Sequence, residues 1–239
     1  MRTAGKTEFA GTLQESAFRA AGAATGEGET LARRMSKREH QDLLLEAIRA
    51  RRGLKRDQKY LRGLFSGGTL QAEALVVFRD EVGDVRSNAP LEPRLKLEDS
   101  SHCTGHCTLD LGEEEFTVGR PHPMIDNDLR IRRLLQEGAD PQVAVILLDV
   151  VLGYGAHPDP ASELGPAIRR ARDAASAEGR DLVVVTSVTG TEGDPQGLRR
   201  QVEALQAAGA VVCSCNAAAA RLAAMIVGRS PEHRYRSAG

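Results

Sequence analysis

The sequence has few of the side chains that bind nucleic acids, and it has no membrane-spanning segment. Its 239 residues include no Trp, only 3% are Phe, Trp or Tyr, and the formal net charge is -1. Without excess Lys and Arg, a chain displaces few counterions from a nucleic acid, and few aromatic rings are available to stack on bases. No apolar run is long enough to cross a membrane, and residues 1–28 lack the apolar core of a signal peptide. We therefore expect a cytoplasmic protein that binds neither nucleic acid nor membrane.

Cysteine is also scarce, with residues at Cys103, Cys107, Cys213 and Cys215. A chain of this length buries a sizeable core and has no need of disulfides, so we expect all four to be reduced thiols. Residues 102–107 crowd four potential metal ligands into six positions, too tight for the usual two-knuckle zinc site, and no second Cys/His pair follows at finger spacing. We expect no metal site.

Residues 1–59 differ in composition from the rest of the chain. They are rich in Ala, Gly, Arg, Lys and Glu and contain no β-branched run. Helices are predicted at residues 13–23 and 31–52. The second helix has an apolar stripe that continues two residues past its end. The stripe consists of Leu43, Leu44, Ile48 and Leu54. We interpret this region as a partly ordered helical arm that packs little against the sheet, and residues 229–239 as a disordered tail.

From residue 60 the chain alternates strands with helices. The predicted strands are residues 60–65, 108–111, 143–151, 182–188 and 211–215. The helices that follow them are predicted at residues 69–78, 161–178, 198–208 and 217–227, with Asn216 as the cap of the last. A further helix, after the second strand, is capped by Asn127 or Asp128 and ends at Gly138. Alternation implies parallel strands joined by right-handed crossovers. The sequence therefore predicts one flavodoxin-like, three-layer α/β domain over residues 60–228, with a five-stranded parallel sheet.

Three predicted strands end in Gly-rich loops that lead straight into helices. Glycine lets the backbone approach a ligand, and a helix N-terminus offers free N–H groups and partial positive charge. Such loops also occur as plain scaffold in doubly wound folds, so that alternative stays open. Asp149 and Asp194 would repel an anion, so we expect them to point away or to pair with Arg or a metal ion on the ligand. The candidate anion-binding residues are Ser66, Gly67, Gly68, Thr69, Gly153, Gly155, Thr189, Gly190 and Thr191.

The loop at residues 119–126 carries a second kind of chemistry. Two prolines flank His122 and hold it in extended backbone, and Arg120 precedes them. Arg120 can bind a carboxylate or phosphate with two parallel hydrogen bonds, and His122 can transfer a proton or carry a phosphoryl group. We nominate both as catalytic residues; the alternative is a rigid surface loop whose Asp126 begins the next helix.

These segments together resemble the signature segments of FdrA-type proteins. The resemblance rests on LRGLFSGGTL at residues 61–70, on LDLG and FTVGRPHPMID at 109–112 and 116–126, and on LDVVLGYGAHPD at 148–159. FdrA-type proteins are similar to succinyl-CoA synthetase, which joins a carboxylic acid to CoA through an acyl phosphate and a phosphohistidine. The resemblance implies a flavodoxin-like ligase domain in which helix N-termini hold the phosphoryl group.

The sequence also departs from that family. Full-length members carry a CoA-binding Rossmann-like domain and another ligase-like domain, where this chain has only the helical arm. The phosphohistidine loop Gly-His-Ala-Gly is missing, since Gly105 and His106 are followed by Cys107 and Thr108, and no ATP-grasp domain is present. We therefore expect a shortened or split member that works with other chains.

The resemblance implies an acyl-CoA synthetase subunit or domain that handles an acyl phosphate or a CoA thioester. One alternative is a subunit of an oxamate carbamoyltransferase complex in allantoin and purine breakdown, because some FdrA-type proteins are linked to that activity. Another is a non-catalytic partner domain. We expect a small anionic substrate, no tightly bound cofactor, and CoA, phosphate or nucleotide supplied with partner chains. Those partners would be synthetase-like chains in a homo- or hetero-oligomer.

Overall fold

The computed structural model describes residues 9–27 and 29–228 of the chain. Residues 1–8 of the predicted arm and the predicted tail at 229–239 lie outside the described residues. The helices are α1 Leu13–Thr25, α2 Glu29–Arg51, α3 Gly68–Glu81, α4 Glu114–Thr117, α5 Asp128–Gly138, α6 Pro160–Ala177, α7 Leu198–Ala207 and α8 Asn216–Val227, with a 3-10 turn at Pro93–Leu95. The strands are β1 Tyr60–Phe65, β2 Arg86–Ser87, β3 Cys107–Asp110, β4 Val143–Val151, β5 Val183–Thr189 and β6 Val211–Cys213.

All strands of the described sheet run parallel, in the order β2-β3-β1-β4-β5-β6. The five longer strands follow the flavodoxin-like order, as predicted, and their carboxyl ends share one edge of the sheet. The predicted count of five strands is wrong by one. β2 lies between the predicted helix at 69–78 and the predicted strand at 108–111. Its two residues, paired with Cys107 and Thr108, are too few to show a periodic pattern.

The end of the last strand also differs from the prediction. β6 stops at Cys213, and Cys215 rather than Asn216 is the N-cap of α8. Asn216 is the first helical residue, and its side-chain amide donates to the carbonyl oxygen of Leu70 and to Glu73, at 2.8 Å each. Asn216 therefore joins α8 to α3 instead of capping its own helix.

The core lies on both faces of the sheet. β4 is a continuous apolar run, so its side chains enter both layers: Ile146 and Leu148 pack with α5, α6 and α7, whereas Val145 and Leu147 pack with α3 and α8. The Ala-rich sequence of α8 buries small side chains and lets this helix lie close to the strands and to α3. Helices thus cover the sheet on both sides.

The arm is helical, as predicted, where the structure describes it. Leu43 and Ala47 of α2 are buried in the same apolar cluster as α8, whereas Leu45 and Ile48 are about half exposed. α2 packs mainly against α1 and α8. The division of the chain at residue 59 stays a prediction. Within the described residues, no helix combines the length and the hydropathy that a bilayer crossing needs.

The expectation of four reduced cysteines is wrong for one pair. Cys103 and Cys107 form a disulfide, because a tight turn with Gly105 at φ 66° brings their Cα atoms to 5.8 Å. Cys213 and Cys215 are free thiols, as predicted. Among the described residues, no three His, Cys, Asp or Glu side chains are grouped to hold a metal ion.

Candidate active site

A crevice is expected where β1 and β4 lie side by side. α3 follows β1 and packs on one face of the sheet, whereas α6 follows β4 and packs on the other. The chain therefore leaves these neighbouring strands in opposite directions at their carboxyl ends. In doubly wound sheets this topological switch point is where ligands bind.

The N-terminus of α3 is open at this position. Its N-cap residue, Gly67, has no side chain to accept a hydrogen bond, and Gly68 and Thr69 are exposed. No described residue supplies an acceptor to the amides of Gly68 and Thr69. These N–H groups and the helix dipole together favour an anion.

Asp149 fixes the loop after β1 through hydrogen bonds to Ser66. This carboxylate is fully buried and accepts a hydrogen bond from the Ser66 amide at 2.8 Å and another from the Ser66 hydroxyl. Arg130 of α5 reaches Asp149 across the sheet, with Nη2 3.1 Å from Oδ1 and a second contact to the Asp149 carbonyl oxygen. Burial lowers the pKa of Arg130, and the charge of Asp149 counteracts this. Asp149 thus pairs with an arginine, as expected of it.

Asp110 and His122 stand beside the open helix end. Asp110 ends β3, is almost fully buried, and accepts the Gly112 amide at 2.8 Å. A Cβ added at Gly68 would lie 2.8 Å from Asp110 Oδ2, so the carboxyl group borders the exposed amides. Burial is the largest cause of a raised pKa at Asp110. A carboxyl group that protonates easily repels a bound anion less.

His122, in the loop at residues 119–126, lies near Asp110 and the end of β1. Its Nδ1 accepts the Met124 amide at 3.2 Å, so a neutral ring carries its proton on Nε2. A Cβ added at Gly112 would lie 2.8 Å from His122 Nε2, 2.8 Å from the Ser66 carbonyl oxygen and 3.1 Å from Asp110 Oδ1. The imidazole N–H therefore faces the end of β1 and the Asp110 carboxyl, where it can donate a proton or a hydrogen bond.

Arg120 has no such contacts. Its side chain is exposed and makes no hydrogen bond or ion pair within residues 9–27 and 29–228. Its charge is a minor cause of the lowered pKa of Asp128, after the larger effects of Arg132. The prediction that Arg120 reaches the anion stays a prediction.

In the second Gly-rich loop, at residues 153–159, the backbone of the first glycine is already hydrogen-bonded. Gln196, which is buried, accepts the Gly153 amide at 3.1 Å and donates to the Gly153 carbonyl oxygen at 2.7 Å. The loop is also joined to the His122 loop, since the His157 amide donates to the Met124 carbonyl oxygen at 2.7 Å. Gly155 remains exposed, with no atom within 4 Å of an added Cβ.

In the third Gly-rich loop, at residues 189–195, the amide of Thr191 already donates to a carboxylate of the same loop. Asp194 Oδ2 accepts the Thr191 amide at 2.5 Å and the Thr191 hydroxyl at 3.1 Å, and the Gly193 amide donates to that hydroxyl at 3.2 Å. Gly190 packs against Leu152, which an added Cβ would approach to 2.7 Å, and Thr189 is exposed at the strand end. The amide of Thr191 therefore already has a carboxylate partner.

Sequence reasoning missed Arg130, Gln196 and the importance of Asp110. Arg130 stands in the run DLRIRRLL, where charged and apolar residues mix, and only the fold shows that it is buried. Gln196 follows a loop and carries no motif. Asp110 had a usable signal, since an acid at the end of a buried strand lies at the binding edge of a parallel sheet.

Comparison with known proteins places the chain in a family. The model of the family described as CoA-ligase matches residues 64–226, which contain the candidate site and all of the sheet except the first four residues of β1. The uncharacterized protein YahF of Escherichia coli (strain K12) is 44% identical over 171 residues, which are 72% of this chain and 33% of YahF. This chain thus corresponds to about a third of the length of that relative. The chain belongs to the CoA-ligase family.

Proposed function

We propose that this domain holds the phosphoryl group of an acyl phosphate at the N-terminus of α3, as part of an FdrA-type acyl-CoA synthetase. The observation that carries the proposal is the open helix end at Gly68 and Thr69, which lies at the switch point beside Asp110 and His122. One exposed helix end contributes only about 0.3–1 kcal/mol to binding an anion. Further groups on the ligand or on partner chains must supply the rest.

In this proposal each residue has a role that follows from its position. The amides of Gly68 and Thr69 bind phosphate oxygens, and Ser66 keeps the loop in place through Asp149. His122 Nε2 donates a hydrogen bond or a proton to an oxygen of the bound group. Arg120, which is exposed, supplies positive charge when the substrate binds.

The rest of the reaction is assigned to partner chains in the cytoplasm. CoA and any nucleotide would be bound there, in a homo- or hetero-oligomer with synthetase-like domains. Transfer of the acyl group from phosphate to the CoA thiol forms the thioester and breaks the acyl–phosphate bond. The phosphate product then stays bound at the N-terminus of α3. An oxamate carbamoyltransferase would use the same phosphate-holding step with carbamoyl phosphate, so the ligand series must separate the two activities.

Calorimetric titration of phosphate, acetyl phosphate, carbamoyl phosphate and CoA tests the proposal, first with the chain alone and then with its partner chains. We expect Gly68→Val to weaken binding of the phosphate ligands about tenfold or more, since the new side chain covers the helix end and meets Asp110. Gly11→Val is the matched control, because Gly11 lies outside the three Gly-rich loops and an added Cβ there comes no closer than 3.6 Å to the Glu15 carboxylate.

The titration results distinguish the synthetase proposal from the carbamoyltransferase alternative. If no phosphate ligand binds the wild type with its partners, the proposal is wrong. If all bind but Gly68→Val binds as well as Gly11→Val, the site lies elsewhere. A preference for carbamoyl phosphate, with its formation from oxalurate when partner chains are added, would assign the carbamoyltransferase activity instead.

A further inference from the structure

The Cys103–Cys107 disulfide closes a short loop at the amino end of β3, the opposite end of that strand from Asp110. Cys107 is the first residue of β3 and is fully buried in the apolar core, whereas Cys103 is half-buried. The two sulfur atoms therefore differ in access. A reagent from solvent meets the sulfur of Cys103 first.

A buried arginine contacts that accessible sulfur. Arg133 Nη2 lies 3.5 Å from Cys103 Sγ, and Arg133 Nη1 donates to the Ser101 carbonyl oxygen at 2.9 Å. Arg133 also forms an ion pair with Glu137 at 2.8 Å. A guanidinium held beside a thiol stabilises the thiolate, which is the reactive form of cysteine.

The loop also covers a buried ion cluster. Arg62 of β1 contacts Glu137 at 2.6 Å and Asp140 at 2.9 Å, and it donates to the carbonyl oxygens of Gly105 and Cys103. His106 Nδ1 accepts the Leu61 amide at 3.2 Å. The bonded loop thus supplies acceptors to Arg62 and joins the beginnings of β1 and β3.

His106 does not add positive charge to this site. Burial, followed by the charge of Arg62, lowers the pKa of His106 to about 4, so the ring is neutral at physiological pH. Arg133 and Arg62 are the cations near Cys103, and Glu137 and Asp140 are the acids paired with them. Arg133 is the cation that touches the sulfur.

We propose that Cys103 and Cys107 form a reversible thiol–disulfide exchange site, in which Cys103 reacts first and Cys107 resolves. The Cys103 thiolate attacks a small disulfide such as oxidised glutathione, forms a mixed disulfide, and releases one glutathione thiolate. The Cys107 thiol then attacks Cys103 Sγ, and its proton goes to the second glutathione as that leaves. Two protein thiols are oxidised, and one external disulfide is reduced to two thiols. This inference does not rest on the proposed function.

The remaining cysteines provide an internal comparison. Cys213 and Cys215 are free and half-buried near the end of β6. Burial raises the pKa of Cys213 to about 12 and is also the largest cause of the raised pKa of Cys215. They should react slowly with the same reagents although they are about as exposed as Cys103, so a faster reaction of Cys103 reports on Arg133 rather than on exposure alone.

The experiment equilibrates the full chain with glutathione couples of varied ratio, quenches with acid, alkylates the free thiols and determines which are blocked by peptide mass. We expect Cys103 and Cys107 to convert together between dithiol and disulfide. Cys213 and Cys215 should stay free at every ratio and so be alkylated throughout. In Cys107→Ser, Cys103 should form a glutathione adduct about tenfold faster than Cys107 does in Cys103→Ser.

Two further variants test the arginine. Arg133→Gln should slow the reaction of Cys103 several-fold, whereas Arg133→Lys, which keeps the charge, should retain most of the rate. Circular dichroism checks that each variant is folded, and the Cys103→Ser variant shows the melting temperature without the bond. The proposal is overturned if the pair stays reduced in fully oxidised glutathione, if Cys107 reacts as fast as Cys103, or if Cys213 and Cys215 react first.

Discussion

The loop after β1 leaves the first amides of α3 exposed, whereas the loop after β5 closes its amides onto its own acid. Gly68 and Thr69 have no acceptor among the described residues, but the Thr191 amide donates to Asp194 at 2.5 Å. Both loops are rich in Gly and Thr, and both lead into a helix. Composition alone therefore does not decide whether such a loop can receive an external anion.

The difference arises from where the acid that accepts hydrogen bonds from each loop finds a partner. Asp149 accepts the Ser66 amide and hydroxyl below the first loop, and Arg130 compensates its charge. Asp194 has no ion pair within the described part of the chain and accepts hydrogen bonds from the loop itself. The carboxylate of Asp149 is thus neutralised by a buried cation, whereas that of Asp194 has only hydrogen bonds from its own loop.

The largest effect is expected from removing that cation. Arg130→Met would leave Asp149 buried without its partner, which costs about 3–5 kcal/mol of unfolding free energy in comparable buried pairs. Urea denaturation measures the loss. Arg200→Ala is the control, because its pair with Asp159 is largely exposed and should contribute less than about 1 kcal/mol. A loss below that value for Arg130→Met would show that Asp149 is held by Ser66 alone.

The second prediction crowds the open loop from the side. Gly112→Ala would place a Cβ 2.8 Å from the Ser66 carbonyl oxygen and 2.8 Å from His122 Nε2. Because the first of these is backbone, the loop must shift, and we expect a cost of about 1–3 kcal/mol. Phosphate binding should weaken as well. Gly155→Ala, which meets no atom within 4 Å, should change stability by less than about 0.5 kcal/mol. Equal stabilities of the two variants would contradict the tight packing around Gly112.

The third prediction opens the closed loop. Asp194→Ala removes the acceptor of the Thr191 amide and hydroxyl, which should lower the unfolding free energy by about 1 kcal/mol. We expect phosphate binding at α3 to be unchanged, since Asp194 has no contact there. Calorimetry on the variant checks this. A change in phosphate affinity of about tenfold in either direction would mean that the third loop belongs to the same site.

The sequence predicted the fold well because the strands are apolar and the helices have clear ends. The bounds of β1 and β4 agree with the prediction, and the carboxyl ends of five adjacent strands meet as expected. β2 was missed because two residues have no period. The candidate site stays a prediction: His122 lies near the loop after β1, but Gln196 and Asp194 already accept hydrogen bonds from amides of the other two loops. Side-chain hydrogen bonds between distant residues leave no local pattern, and so no sequence signal.

The smallest effect concerns the acid that borders the open helix end. Burial raises the pKa of Asp110 above its ordinary value of 3.8, so the folded state favours the protonated carboxyl group. The stabilisation from this proton is fully present below pH 3.8 and is lost as the pH rises through the raised pKa. At neutral pH the ionised group therefore destabilises the fold. Asp110→Asn, which keeps an oxygen for the Gly112 amide, should remove this penalty.

We expect Asp110→Asn to raise the unfolding free energy at pH 7–8 by about 1 kcal/mol or less, with the gain disappearing near pH 3–4. Phosphate should also bind the variant more tightly at neutral pH, because a negative charge beside Gly68 is gone. Thermal melts and calorimetry across this pH range provide both measurements. Asp128→Asn is the matched control: hydrogen bonds from Arg132 lower the pKa of Asp128, so its substitution should change neutral-pH stability in the opposite direction. If Asp110→Asn destabilises the protein at neutral pH, the carboxylate has a partner that offsets its burial. Asp110 would then favour a cation, rather than a phosphate, at the end of α3.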